Sequence, residues 1–420
     1  MDAREQKAYQ IAATMPLRRD ATGWIVPSQS SNGTYRVSPQ AAPEMQPWQC
    51  SCPDYGLRRK PCKHVMAVEL VICREYFYSD GTKVTEQVKV TYSQDWTNYN
   101  AAQCAEGDLF PAMLADLCST LSRPYGGRGR PSLPLSDMVY NCVSKVYEGK
   151  SARRFDSEVR AAKREGLTEV EPGFNSVLRY MAKPELTPYL EGLVRISAAP
   201  LAAVEPHIAQ DSTGFSTCRY ASWFDNKWGK QVKRHEFVKL HAMTGTHTNV
   251  VTAATVNKSG ADSLQFIPLL NETVERFSPR EVSADKAYSS KANLQGAENL
   301  GITPFVPFKD SPSIRAIDLA NPPAAPVPTA PTWDKMFHYF AYNQGAFLAH
   351  YHRRSNVETT FSMIKAKFGG SLFSKSYEGQ VNEVLCKVIA HNICCLISAM
   401  HELGIAMPQF SHRSNLELVG

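Results

Sequence analysis

The hydrophobic pattern divides the chain into three stretches. Up to about residue 95 the apolar positions come in short pieces. Strand-like Gly23–Val26 and Thr34–Val37 are followed by a Pro-rich stretch and a helix-like run from Val65 to Val71. Residues 73–100 are Tyr-rich and strand-like but fit no definite element. From residue 96 to 200 the spacing is helical. Leu135, Met138, Val139, Cys142, Val143 and Val146 recur at i, i+3, i+4, and Gly149 supplies a stop, which predicts a helix over Leu135–Glu148. Further helices are expected from Ser151 and from Pro172. Beyond residue 200 the pattern changes to strands, at Ala203–Asp211, Phe237–Met243 and Asn249–Val256, the last two antiparallel through a turn at Thr244-Gly-Thr. A helix at Ser263–Phe277, a strand at Glu281–Tyr288, a helix at Ser290–Asn299 and a strand at Ile302–Phe308 follow. The two prolines of that last strand suit a sheet edge. The order is β-β-β-α-β-α-β. A run free of Pro and Gly from Asn356 to Phe368 predicts a further helix. Gln380–Leu403 predicts a long one with an apolar stripe, on or beside which Cys386, Cys394 and Cys395 read as core.

Polar residues add chemistry to that frame. Two strands carry an aspartate at or near their ends, Asp211 and Asp285, and the helix after them carries Glu358. Around Glu358 lie Tyr351, Arg354 and Lys365. On a single helix Arg354, Glu358 and Lys365 fall at i, i+4 and i+11 on one side, with Val357, Phe361 and Ile364 on another. Taken alone, such a run reads as surface ion pairing worth roughly 0.2–0.5 kcal/mol a pair. The aspartates change that reading. Adjacent strands can bring Asp211 and Asp285 together, and the helix can add Glu358. Three carboxylates are the hard oxygen donors that a pair of divalent cations needs. Tyr351, Arg354 and Lys365 would then face phosphate oxygens.

A second donor set lies near the N-terminus. Cys50-Ser-Cys52 and, after nine residues, Cys62-Lys-His64 give two tight pairs, three thiolates and an imidazole, a closed tetrahedral set suited to Zn²⁺. The pattern resembles the SWIM-type zinc finger over roughly residues 22–72. Arg58, Arg59, Lys60 and Lys63 lie in or beside the spacer and could meet phosphate, and the resemblance leaves nucleic acid and protein both open as partners. The eleven cysteines are odd in number, unevenly spaced and accompanied by no export signal, so they read as metal ligands and buried thiols rather than disulfides.

The net charge of +6 permits nucleic-acid binding without demanding it. Gly-Arg128-Gly-Arg130-Pro is similar to the core of an AT-hook, and reads equally as a basic linker. Arg153, Arg154, Arg160, Lys163 and Arg164 among short helices suit a helix-turn-helix-like DNA reader. Lys227, Lys230, Lys233 and Arg234, in a loop with Trp223 and Trp228, are further candidates for phosphate contact. The longest apolar runs fall short of the roughly 18–20 residues that cross a bilayer, so no membrane partner is expected. A cytoplasmic location, at the nucleoid if the chain is prokaryotic, is expected.

Strand order and acid placement together form the ribonuclease H-like arrangement. Asp211-Ser-Thr-Gly-Phe, Ala284-Asp285-Lys-Ala-Tyr288 and the Tyr351, Arg354, Glu358, Lys365 set make residues 205–400 resemble a DDE transposase of bacterial insertion sequences. The spacing of the last set matches the Tyr-Arg-Glu-Lys branch of that family. The resemblance implies that Asp211, Asp285 and Glu358 bind Mg²⁺ or Mn²⁺. It implies that Tyr351, Arg354 and Lys365 hold the phosphates of the element's end, and that the enzyme works on double-stranded DNA as a homodimer on paired ends. Two departures stand out. Residues 286–357 are too few for the large β-rich insertion of some relatives and contain a Pro/Ala linker at 321–331. An N-terminal SWIM finger is also unusual there. The expectation is therefore an α/β chain in three parts. Residues 1–95 form the zinc module, 96–200 a helical DNA-binding domain, and 201–420 the ribonuclease H-like catalytic domain. Its rivals are a metal-dependent nuclease that cuts without joining and a domesticated DNA-binding protein.

Overall fold

The computed structural model describes residues 3–15, 17–20, 22–29, 33–39, 48–58, 60–69, 95–121, 132–217, 237–258, 260–308 and 331–411. The chain forms two compact units, Met1–Asp95 and Trp96–Gly420.

The first unit is a four-stranded antiparallel meander, β1 (Arg18–Asp20), β2 (Gly23–Pro27), β3 (Thr34–Pro39) and β4 (Trp48–Cys50), in that spatial order. Alternation decides its faces. Trp24, Val26 and Val37 point inward against Ala8 and Ile11 of the helix Ala3–Thr14 and against Val65 and Val68 of the helix at 63–69. Gly23 permits the tight approach of β2 to β3. Its φ is +145°, and a Cβ there would lie 2.3 Å from the Val37 carbonyl oxygen.

In the second unit a five-stranded sheet runs in the order β7 (Val251–Asn257), β6 (Phe237–Gly245), β5 (His207–Ser216), β8 (Glu281–Ala284), β9 (Thr303–Phe305). The first three strands pair antiparallel, and β5, β8 and β9 pair in parallel. This is the ribonuclease H-like mixed sheet. Ile208, Met243 and Val282 belong to a core with the helices Phe266–Val274 and Lys291–Asn299. Ala209, Phe215, Leu240 and Ala242 belong to a second core with Val357, Phe361 and Ile364 of the helix Ser355–Phe368 and with the long helix Tyr377–Glu402. The helices between Trp96 and Ala198 share that second core through Leu114, Met138 and Leu193, so residue 200 does not divide this unit.

Several elements differ from the sequence expectation. β5 begins at His207, after a 3-10 helix at Ala199–Val204, and continues past Asp211 to Ser216. Its polar centre, Asp211-Ser-Thr-Gly, is half-buried and interrupts the apolar run from which a strand is read in sequence. The helix expected at Ser263–Phe277 is a 3-10 turn at Asp262–Gln265 followed by Phe266–Val274, with Pro268 in the first turn where its missing N–H costs nothing. The helix Tyr377–Glu402 is, against expectation, long and apolar enough to cross a membrane, but 83% of its most apolar window is buried inside the protein. Asn382, Glu383, Lys387, His391 and Asn392 break the apolar run in the sequence and find partners inside. Asn392, for example, bonds Val251, Val194 and Ser197. The Pro/Ala linker lies outside the described residues except for Pro331, which opens the helix Pro331–Tyr342.

Candidate active site

The parallel ladder between β5 and β8 pairs His207 with Glu281 and ends on Gln210 with Ala284. Asp211 is the next residue of β5 and Asp285 the first residue beyond β8, so the register brings them to neighbouring positions. β8 stops there. Asp285 caps a 3-10 turn at Lys286–Tyr288, its Oδ1 accepting from the Lys286 N–H at 2.6 Å, and buried Tyr288 anchors the turn. Asp211 Oδ1 accepts from the Ser212 N–H at 2.8 Å. Burial pushes the Asp211 carboxyl above its ordinary range, the Ser212 N–H and Arg354 oppose that, and the charges of Asp285 and Glu358 add to it.

Arg354 reaches across the site. Its Nη1 donates to Asp211 Oδ2 and its Nη2 to Glu358 Oε1, both at 2.7 Å. Glu358 is otherwise open to solvent, its side chain 59% exposed. The single helix expected across Tyr351–Lys365 is three pieces: a helix Gln344–Tyr351, a 3-10 turn His352–Arg354 and the helix Ser355–Phe368. Tyr351 ends the first piece, with the Arg354 guanidinium 5.8 Å from its ring centroid. Lys365 lies farther along the last helix and donates to Thr213 Oγ1 at 2.6 Å. Asp211, Thr213 and Phe215 alternate along one face of β5, so the helix lays Arg354 on the first and Lys365 on the second. Three carboxylates with two cations beside them offer hard oxygen donors of the kind a divalent metal takes, and in this structure it is the Arg354 guanidinium that bridges Asp211 and Glu358. Arg354 supplies compensating charge to Asp211 and Glu358.

The four ligand atoms of Cys50, Cys52, Cys62 and His64 lie within 4.8 Å of one another, and all four residues are buried. His64 Nδ1 is 3.8 Å from Cys50 Sγ and 3.9 Å from Cys62 Sγ. Ligands about 2.0–2.3 Å from one tetrahedral zinc stand at about that separation. The Cys62 thiol is held down to about 4, chiefly by Cys50, while Cys50 is pushed up by Cys62 and by burial. A cation among the three sulfurs would favour all of them as thiolates, and the donor set is that of structural zinc.

The family model described as Transposase DDE domain matches residues 202–393, and that described as SWIM zinc finger matches residues 35–73. The chain carries a transposase DDE domain behind a SWIM zinc finger. The DDE match spans β5 through most of the long helix and identifies an enzyme domain that cuts and joins DNA.

In the finger, Arg58 pairs with Asp54 and Lys63 Nζ donates to Gln29 Oε1 at 2.9 Å, while Lys60 is exposed and Arg59 lies outside the described residues. Arg128, Arg130, Lys227, Lys230, Lys233 and Arg234, with Trp223 and Trp228, also lie outside them. In the helical part, Arg160 pairs with Asp156 and Lys163 donates to the Glu169 carbonyl, whereas Arg153 and Arg154 are exposed. Sequence reasoning missed Thr213, which sits two residues from Asp211 at strand period. It also missed the side chains that hold the end of the helix Ser355–Phe368. Lys387 Nζ donates to the Gly369 and Ser371 carbonyls at 2.7 and 3.0 Å, and Glu383 accepts from the Phe373 and Ser374 N–H groups.

Proposed function

We propose that this transposase cuts DNA at the ends of its element and joins the freed 3′-hydroxyl to target DNA, with Asp211, Asp285 and Glu358 as the metal-binding acids. The observation that carries the reading is the ladder end that places Asp285 beside Asp211, with Arg354 tying Asp211 to Glu358. When bound there, a pair of Mg²⁺ or Mn²⁺ ions supplies activation of the attacking oxygen and stabilisation of the leaving one. The protein's own part is positioning. β5 and β8 hold two carboxylates by main-chain register, and the helix Ser355–Phe368 sets the third. Arg354 and Tyr351, which lie together beside the acids, would hold a DNA phosphate. Lys365, on Thr213, holds a neighbouring phosphate. The chemistry needs no covalent enzyme intermediate, and no nucleophilic side chain is assigned. Two ends joined in one event call for two copies of the chain, one on each end.

Asp285→Ala is expected to abolish cleavage, by at least about 10³-fold, while DNA binding stays within a few-fold. Gel analysis of end-labelled DNA carrying the inverted repeats beside the coding region reads both. Cleavage at the wild-type rate in that variant overturns the acid assignment. Cleavage by the wild type with no joined product favours a nuclease instead.

A further inference from the structure

A second charged cluster lies at the other end of the strands that carry the aspartates. Glu281 opens β8 and His207 opens β5, and the two are ladder partners. Asp285 and Asp211 lie four residues further along the same strands, about 13 Å away and on the same face. Glu281 Oε2 stands 2.8 Å from His350 Nδ1, 2.9 Å from Arg353 Nη1 and 3.4 Å from His207 Nδ1. His350 and Arg353 come from the segment that carries Tyr351 and Arg354. They alternate with those residues, so one side of the turn faces Glu281 while Arg354 faces the acids. The His350 ring also stacks on Phe305 of β9, centroids 4.4 Å apart. One carboxylate thus ties together the three pieces of chain that deliver Asp211, Asp285 and Glu358.

Resting on the metal-site reading above, we infer that Glu281 is a positioning residue for the catalytic centre, acting through His350 and Arg353 to set the turn that places Arg354 and Glu358 against Asp211. Its side chain is 20% exposed, so the cluster is partly shielded from solvent. Burial disfavours the charge, but the contacts with His207 and His350 hold the carboxyl down at about 2, so it is a charged anchor at neutral pH. Glu281 touches no metal ligand. Its effect passes through backbone and through Arg354, as outer residues tune the ligands of a metal site.

The test uses the full chain and measures Mn²⁺ binding by titration in the absence of DNA, beside cleavage of inverted-repeat DNA over a range of Mn²⁺. Glu281→Gln is expected to fold, to bind the DNA within about two-fold of wild type, and to lose about ten-fold in Mn²⁺ affinity. Cleavage should recover in part at high Mn²⁺, with the Mn²⁺-free variant melting close to wild type, whereas a merely unstable protein would melt lower. Arg353→Gln, which leaves β8 intact, should shift Mn²⁺ affinity in the same direction and serves if Glu281→Gln does not fold. Unchanged Mn²⁺ affinity in whichever of the two variants folds overturns the inference. Asp211→Asn is the control for the site itself. If it too binds Mn²⁺ like wild type, the metal-site reading fails rather than the role of Glu281.

Discussion

Arg354 shows how single residues carry the account. Its guanidinium bridges Asp211 and Glu358 with two bonds of 2.7 Å and is largely shielded, at 19% exposure. Of the Tyr351, Arg354, Glu358, Lys365 set, the i,i+4 contact was legible because it is local. The partners on β5 were not, because Arg354 meets Asp211 across 143 residues and Lys365 meets Thr213 across 152, and only the fold sets those distances. Gly245 is a residue whose identity the sequence left unexplained. A Cβ there would lie 2.3 Å from Glu205 Cδ, and Glu205 is the buried carboxylate that accepts from the His247 and Thr248 N–H groups in the β6–β7 turn. Gly245→Ala should therefore cost about 1–3 kcal/mol through overpacking. Chemical denaturation of the full chain reads this as a lower midpoint, and an unchanged midpoint would show that the turn yields.

At the scale of elements, the β6–β7 turn and the long helix brace the helix Ser355–Phe368. Asn356 donates to the Thr246 carbonyl and Thr360 to Asn249 Oδ1, while Asn249 itself takes a φ of 61°. His391 of the long helix lies 2.9 Å from the Asn249 carbonyl through Nε2. Burial lowers the His391 pKa to about 4 from its usual 6.5, so the histidine folds neutral and must stay so. Because the folded value lies below the unfolded one, its contribution to stability is complete above pH 6.5 and is lost as pH falls through about 4. Thermal melts between pH 7 and 4 should show that loss, and His391→Gln should flatten it. An equal slope in the variant would assign the loss to other groups. These braces were invisible in the sequence, where His391 and Asn392 only interrupted an apolar stripe. The helix Trp96–Ser119 went unread for a related reason. Pro111 and its scattered polar residues hide a period that only packing on the long helix makes plain. The helix Leu135–Glu148 was legible to the residue, since six apolar positions and a left-handed Gly149 at φ 63° mark its face and its end.

On the scale of the whole molecule, the chain carries two donor sets on two units. The first unit gathers the soft donors of a zinc finger, and the second carries, on a mixed sheet and a helix beside it, the hard donors proposed as catalytic acids. The four zinc donors and the mixed sheet were readable because ligand spacing and strand order are sequence properties. The merging of the helices at 96–198 with the sheet was not, because a shared core has no signature in either partner alone. Metal analysis of the purified chain should find about one zinc per chain, with protons released as zinc binds near pH 7, and Cys52→Ser should lose it. A zinc-free wild type would remove the finger's structural basis.

The central claim is that the acids on β5, β8 and the helix Ser355–Phe368 form one site that cuts and joins DNA. The most direct measurement follows inverted-repeat DNA and a supercoiled target with Mg²⁺ or Mn²⁺, comparing wild type with Glu358→Gln. The account predicts cleaved ends and joined products for the wild type, with both lost together in the variant while DNA binding persists. Joined products at wild-type yield from Glu358→Gln would contradict it.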